Sequence, residues 1–395
     1  MTNEVLTLMF KDLEVLVFSV DYEEEKVSII KKLDHYELAP FGVNDKANNP
    51  SSKLNQFFRN RAIPPQRYLY EDILKATGCR SGYELSFKGH GLSLTNHYWF
   101  KREGEDDLKY DDINFFTNKW DDSFARNLIA ENISALATCS LNVPDIVTPG
   151  WGIKGWLYEE DGPRLYKLGI VPHTSEEAVV ECLDSRLASR LFKEGEYVNY
   201  ELRKINDRYA STCKPFINID EEIITLSTLL PNEFNILYSN KSVDKRNINT
   251  FLDAFIRIGR PELKLQFIKL FCLRSLCFMN DLHFGNIAMI HNLKTNEYKV
   301  APFYDLASGF GSSERGKAMI ANPTKATFFI VYYLYSDLDP SWDYSWYDPK
   351  CLDGFEDEIR DYLAKAEFYT DKLIETIILV YQQQKETLHK VINKR

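Results

Sequence analysis

The sequence of 395 residues has little of what marks a secreted, zinc-binding or membrane-spanning chain. Its seven cysteines include no C-x-x-C pair, so we expect reduced thiols that act as packing residues, and neither disulfides nor zinc ligands. No run of about 18 apolar residues is present, and the first residues lack the basic segment and apolar stretch of a signal peptide. These absences predict a cytoplasmic protein that contacts no membrane.

Basic residues are also scarce relative to acidic ones. The chain has 48 Lys and Arg residues against 58 Asp and Glu residues, a formal net charge of −10. Domains that bind nucleic acid by neutralising phosphates are usually basic over at least one face, so we predict no direct contact with nucleic acid. The hydrophobic fraction of 44% is that of a folded globular protein, and the length gives room for two or three domains or lobes.

The most informative pattern is a pair of apolar runs, residues 287–290 and 298–303, that flank a polar connection rich in turn-forming residues. This pattern predicts a β-hairpin, whose antiparallel pairing places Asn286 beside Asp305, with Asp281 on the preceding loop. Amide and carboxylate oxygens suit Mg²⁺, so we predict Asn286 and Asp305 as metal ligands and Asp281 as the group that orients or deprotonates an attacking hydroxyl. The alternative is a polar loop that closes an ordinary hairpin.

A glycine-rich stretch lies earlier in the chain. Residues 146–158 predict a strand, a glycine turn and a second strand, and within them Gly150, Gly152 and Gly155 fit G-x-G-x-x-G. Glycines let backbone N–H groups approach phosphates, so we assign all three to cofactor binding. The alternative is a plain hairpin, and the Rossmann form is excluded because a strand follows where that form opens a helix.

A lysine and a glutamate follow the glycines. Lys167 lies on a predicted strand, residues 164–169, and Glu181 lies in a segment of helical period, residues 176–193. In kinases a strand lysine and a helix glutamate form the ion pair that positions the ATP phosphates, so we assign this pair to ATP binding. The alternative is a surface lysine followed by an acidic helix.

The rest of the chain predicts an α+β fold in which strands come first and helices dominate later. The predicted elements are a meander of three strands over residues 5–33, a hinge at 213–216, and helices over 221–229, 245–258 and 261–278. Residues 306–325 are rich in Gly, Ser, Lys and Arg, which predicts either a mobile segment near a substrate site or a solvated loop.

Essentially the whole chain resembles the HipA-like kinases, bacterial proteins with a two-lobed fold similar to that of eukaryotic protein kinases. Residues 92–99 resemble the signature of the HipA-like N-terminal subdomain, and residues 280–286 and 301–305 resemble the catalytic and metal-binding motifs of the family. The resemblance implies an α+β, two-lobed protein-kinase-like fold with a mostly helical C-terminal lobe. The domains expected from it are an N-terminal subdomain at 1–130, a nucleotide-binding β-rich lobe at 131–217 and a helical catalytic lobe at 218–395.

Residue by residue, the resemblance implies Asp281 as the catalytic base, with His283 as a brace of the catalytic loop, and Asn286 and Asp305 as Mg²⁺ ligands. It also implies Lys167 as the ATP-phosphate lysine with Glu181 as its helix partner. Two features depart from the family pattern. Gly285 stands where HipA carries a lysine, and the glycine loop lacks the serine that HipA phosphorylates on itself.

The function implied is that of an ATP- and Mg²⁺-dependent kinase that transfers the γ-phosphate to a Ser or Thr hydroxyl of an unidentified protein substrate. Some members of the family are growth-arresting toxins held by a small DNA-binding antitoxin partner. Two alternatives stay open: a catalytically weak kinase-like module that acts by binding a partner, and a phosphotransferase that acts on a small molecule.

Overall fold

The computed structural model describes residues 4–43, 49–232, 245–279, 283–312 and 338–393. Its contacts divide the chain into two compact units. The first unit comprises Met1–Ile170, Lys214–Ile223 and His291–Glu297, and the second comprises Val171–Cys213, Ile224–Ile290 and Tyr298–Arg395. The three domains expected from the sequence stay a prediction, and the two units are described separately below.

The first unit begins with the antiparallel meander that the sequence predicted. Its strands are β1 (Glu4–Phe10), β2 (Leu13–Asp21), β3 (Lys26–Lys32) and β4 (Tyr98–Lys101), in the order β3-β2-β1-β4. Side chains of successive strand residues point to opposite faces, and one face of this sheet packs against helix α1 (Pro50–Arg61). Phe18 and Phe58 meet there with ring centroids 5.2 Å apart, which places the core of this sheet beneath α1.

The remainder of the first unit consists of short helices and a hairpin. The elements are α2 (Tyr70–Thr77), α3 (Gly82–Ser86), α4 (Tyr110–Ile113), α5 (Ser123–Ile129), β5 (Ile153–Glu159) and β6 (Gly162–Gly169). The strand predicted at the start of residues 146–158 is wrong, because Pro144–Val147 form a 3₁₀ helix. Proline suits the first position of a helix, and the hydroxyl of Thr148 donates to the Pro144 carbonyl at 2.8 Å, which closes the turn.

The second unit is mostly helical. Its elements are α6 (Glu176–Leu191), β7 (Glu201–Ile205), β8 (Arg208–Cys213), α7 (Leu226–Asn232), α8 (Lys245–Arg257), α9 (Pro261–Cys277), α10 (Phe355–Leu363) and α11 (Asp371–Ile392). Helix α9 packs against α6, α8 and α11, and most of its side chains are buried. A helix that is apolar around most of its circumference belongs in the interior, so α9 is the central helix of this unit.

A three-stranded sheet has the order β11-β10-β9, with β9 at Glu221–Thr225, β10 at Ala288–Asn292 and β11 at Glu297–Val300. Strands β10 and β11 confirm the predicted hairpin. The helix predicted over residues 221–229 is wrong in its first part, where β9 lies. The N–H of Ile223 donates to the Thr95 carbonyl at 2.8 Å, so distant backbone pairing overrides the local helical period there.

All seven cysteines lie in the part of the chain that the structure describes; none of them is in a disulfide bond there, and five are buried. Within the same part, no helix combines the length and the apolar character that a bilayer crossing requires.

His97, next to strand β4, is a buried histidine held by two hydrogen bonds. Its Nε2 lies 2.9 Å from the carbonyl of Glu221, and its Nδ1 lies 2.6 Å from the hydroxyl of Tyr110. A carbonyl only accepts, so in the neutral ring Nε2 carries the proton and Nδ1 accepts from the tyrosine. Burial lowers the pKa of His97 to about 4, so the ring is neutral in the folded protein at neutral pH.

We expect the free energy of unfolding to fall as the pH is lowered through the range between the unfolded pKa of His97, 6.5, and the folded value of about 4. In that range the unfolded chain binds a proton that the folded chain does not, so acid favours unfolding, and the stabilisation is complete only above the range. This difference between the unfolded and folded pKa values corresponds to about 3 kcal/mol in the free energy of unfolding. Urea unfolding at several pH values, compared with His97→Gln, measures the contribution. Identical pH dependence in the two proteins would contradict it.

Candidate active site at the open end of a hairpin

A tight turn positions Asn286 just before strand β10. His283 caps the 3₁₀ helix Phe284–Asn286, and its Nδ1 accepts a hydrogen bond from the N–H of Gly285 at 3.0 Å. Its carbonyl accepts from the N–H of Asn286, also at 3.0 Å. A Cβ at Gly285 would lie 2.9 Å from Nδ1 of His283, so a lysine at this position would displace the imidazole. Gly285 therefore leaves room for the imidazole ring of His283.

Asp305 follows the second strand of the same hairpin. The hydroxyl of Tyr304 donates to the Gly285 carbonyl at 2.9 Å. This bond joins the residue before Asp305 to the residue before Asn286, as the antiparallel hairpin predicted. Asn286 is half-buried and Asp305 is exposed. The structure thus brings the two predicted metal ligands to the open end of one hairpin.

The backbone of Asp305 adopts the left-handed conformation, with φ of 58°, which non-glycine residues adopt only rarely. Its N–H donates to the phenol oxygen of Tyr200 at 3.2 Å. Burial, reinforced by the nearby Glu181 carboxylate, raises the pKa of Tyr200 well above its ordinary value. The phenol therefore stays protonated and remains a neutral acceptor for this bond.

Glu181 is fully buried within helix α6. Its carboxylate accepts a hydrogen bond from the hydroxyl of Ser211 on β8, which ties the helix to that strand. Lys167, the predicted partner of Glu181, is half-buried on β6 in the first unit. The ion pair between Lys167 and Glu181 stays a prediction.

The residues directly after Asp305 are packed. The N–H of Phe310 donates to the Cys277 carbonyl at 2.8 Å, and its ring is fully buried. Gly309 lies against the buried carboxyl group of Asp184, where a side chain would overlap the carboxylate oxygens. The expectation of a mobile or solvated segment is therefore wrong for residues 306–312, and residues 313–325 lie outside the described residues.

The glycine loop is held from one side within the first unit. Arg67 donates to the carbonyls of Gly152 and Thr148, at 3.0 and 2.5 Å. The N–H of Tyr68 donates to the Trp151 carbonyl at 2.9 Å. Because the C=O and N–H of a trans peptide point in opposite directions, the N–H that follows Trp151 points away from the Tyr68 N–H, and the N–H that follows Gly152 points away from Arg67. A phosphate-binding loop needs such an orientation.

Each glycine of the motif also has a structural reason to be glycine. Gly150 has φ of 111°, a conformation that favours glycine. A Cβ at Gly152 would lie 2.6 Å from the backbone carbonyl carbon of Gly169, and a Cβ at Gly155 would lie 2.8 Å from the Cβ of Ala125 on α5. The plain-hairpin alternative therefore accounts for these glycines as well as phosphate binding does.

We expect Gly155→Ala to lower the free energy of unfolding by about 1–3 kcal/mol, because the added methyl group has no room. The close contact is the Ala125 methyl group at 2.8 Å. Ala125→Gly removes that group, so the two substitutions together should cost less than the sum of their separate effects. Urea unfolding of the four proteins of this cycle measures the difference. If the effects of the two substitutions simply add, the methyl group introduced at Gly155 is hindered by a group other than the Ala125 methyl group.

Three of the residues that organise this region were not predicted from the sequence: Tyr200, Tyr304 and Ser211. Tyr304 carried a signal, since it directly precedes Asp305. Tyr200 lies 105 residues from Asp305 along the chain, so no local pattern connects the two.

The donor set fits a magnesium ion in part. The amide of Asn286 and the carboxylate of Asp305 offer hard oxygen ligands, which Mg²⁺ prefers. Among the described residues, no three or more His, Cys, Asp and Glu side chains form a metal-binding group. Asp281, the predicted base, lies outside the described residues, so its role rests on the sequence motif.

The sequence matches no protein-family model and no curated protein. The structure is similar to HipA of Shewanella oneidensis MR-1, solved as a toxin–antitoxin complex with HipB and operator DNA. The identity is 12%, the TM-score is 0.52, and the similarity covers 98% of this chain and 97% of that chain. The structure also matches the Helicobacter pylori proinflammatory kinase CtkA, with 16% identity, a TM-score of 0.47, and coverage of 61% of this chain and 94% of that chain.

The similarity to HipA extends over nearly the whole of both chains. It confirms the α+β architecture predicted from the sequence, with sheets in the N-terminal half and helices in the C-terminal part. The chain therefore has a HipA-like fold.

Proposed function

We propose that this protein is a kinase that uses ATP and Mg²⁺ to phosphorylate a Ser or Thr hydroxyl of another protein. The observation that carries the proposal is the arrangement of Asn286 and Asp305 at one end of a hairpin, joined through the bond from Tyr304 to Gly285. A fold hosts many functions, so the HipA-like fold supports the proposal only together with these side chains.

In this proposal Asn286 and Asp305 hold Mg²⁺ through their oxygen atoms. The bound ion neutralises charge on the ATP phosphates. Asp281 orients the acceptor hydroxyl and takes its proton. His283 holds the Asn286 turn through its ring nitrogen and its carbonyl, so it positions a ligand and does not itself react.

The remaining assignments concern ATP. Lys167, paired with Glu181, positions the phosphates, and backbone N–H groups of the loop Gly150–Gly155 approach them. The orientation that Arg67 and Tyr68 give to the loop carbonyls supports this role.

We also propose a protein partner. The Shewanella HipA was solved with HipB and operator DNA, and by analogy this chain binds a small DNA-binding protein of the antitoxin type. The net charge of −10 supports a complex in which the partner, and not this chain, supplies the basic surface for DNA.

One observation favours a second candidate, a kinase-like module that acts by binding a partner. Gly152 and Gly155 fill tight packing positions, so their presence does not require a nucleotide. A small-molecule phosphotransferase is the third candidate.

Incubation with γ-labelled ATP and Mg²⁺ separates the three candidates. The protein and its Asp281→Ala variant are each mixed with cell lysate, and labelled polypeptides and labelled small molecules are resolved separately. Label on polypeptides that disappears in the variant supports the protein kinase. Equal background in both favours the binding module. A labelled small molecule without any labelled polypeptide selects the phosphotransferase.

A further inference from the structure

The main chain at Asp305 is held by a tyrosine from a distant segment. Asp305 is exposed and left-handed, and its N–H donates to the Tyr200 phenol oxygen at 3.2 Å. The left-handed conformation is unfavourable for a non-glycine residue, so it persists only where the surroundings fix it. A buried acceptor aimed at this N–H supplies such a restraint.

Tyr200 is itself fixed from two sides. The residue is 5% exposed, and its N–H donates at 3.0 Å to the hydroxyl of Ser185 on helix α6. The Ser185 hydroxyl in turn donates to the Val198 carbonyl at 2.9 Å. The N–H of Val198 donates to the Phe303 carbonyl at 2.8 Å, so the segment that carries Tyr200 runs beside the backbone that leads to Asp305.

We propose that Tyr200 is the positioning residue for Asp305. Its phenol oxygen holds the backbone of Asp305 in the left-handed conformation and thereby fixes the direction in which the side chain of Asp305 points. This inference rests on the proposed function, because it takes Asp305 as a ligand of Mg²⁺. Tyr200 would act on the ion only through Asp305, whose backbone N–H it accepts from.

Tyr200→Phe tests the inference, because it keeps the ring and removes only the hydroxyl group, whose oxygen accepts from the Asp305 N–H. We expect the Kd for ATP measured calorimetrically in Mg²⁺ to rise about threefold to tenfold, the loss of one hydrogen bond. The Kd for ATP in EDTA should not change. Tyr209→Phe is the matched control, since Tyr209 lines the same cavity of about 420 Å³ as Tyr200, and we expect it to leave both constants unchanged.

Each result has a distinct meaning. A purely structural role for Tyr200 would weaken ATP binding in Mg²⁺ and in EDTA alike, and that result would overturn the inference. Equal affinities of the wild type and Tyr200→Phe in Mg²⁺ would also overturn it while leaving the proposed function intact. A wild type without Mg²⁺-dependent ATP binding would overturn the proposed function and this inference together.

Discussion

Asp305→Ala is expected to remove Mg²⁺-dependent ATP binding. Substitution of residues that merely support a metal ligand weakens metal affinity about 10- to 100-fold, so loss of the ligand itself should weaken it by at least about 100-fold. The effect appears in the Kd because a ligand acts on the bound ground state as well as on the transition state. Titration calorimetry with ATP, in Mg²⁺ and in EDTA, measures it.

The control for this substitution is Asp305→Asn, which keeps a short polar side chain suited to the left-handed backbone at φ of 58°. We expect it to unfold at nearly the wild-type urea concentration and to bind Mg²⁺ with ATP more weakly than the wild type, because it lacks the negative charge. Comparable nucleotide affinities for Asp305→Ala and Asp281→Ala would contradict the assignment of Asp305 as the metal ligand and Asp281 as the base.

Asp281→Ala is expected to lower kcat by about 100- to 10,000-fold, the usual contribution of a general base, while the Kd for ATP in Mg²⁺ stays near the wild-type value. A base acts mainly on the barrier, so its loss separates turnover from binding. Single-turnover phosphorylation and calorimetry on the same preparation measure the two quantities.

The matched control is Asp353→Ala, which removes an exposed aspartate of the second unit and should change neither quantity. If Asp281→Ala weakened nucleotide binding as much as it slowed turnover, Asp281 would be a further metal ligand and the base would lie elsewhere.

Elements with a strong local period were predictable. The meander at the start of the chain, the hairpin of β10 and β11, and helix α9 follow from spacing within a few residues of each other. Strand β9 was not predictable in this way, because its N–H groups pair with backbone far away in sequence, as in the bond from Ile223 to Thr95. The 3₁₀ helix before the glycine loop was not predicted, because the apolar pair Ile146 and Val147 indicates a strand unless Pro144 is also taken into account.

The candidate site likewise contains some residues whose placement was predictable from the sequence and others whose placement was not. The placement of Asn286 and Asp305 at the same end of one hairpin was predictable, because antiparallel pairing brings the two ends of a hairpin together. Tyr200 was not, since the bond to Asp305 spans 105 residues. The glycine motif was ambiguous in the sequence, and the close approaches of Gly152 to Gly169 and of Gly155 to Ala125 show why: tight packing and phosphate binding select the same residue type.

The two hydrogen bonds at the Ser185 hydroxyl link helix α6 to the segment that carries Tyr200, and Tyr200 in turn contacts Asp305, the proposed metal ligand. A shift of α6 along its axis would move Ser185, then Tyr200, and finally the peptide group at Asp305. If Asp305 holds the ion as proposed, thermodynamic coupling would act in both directions: a change that stabilises α6 in its present register would raise the affinity for the ion, and the bound ion would stabilise that register of the helix.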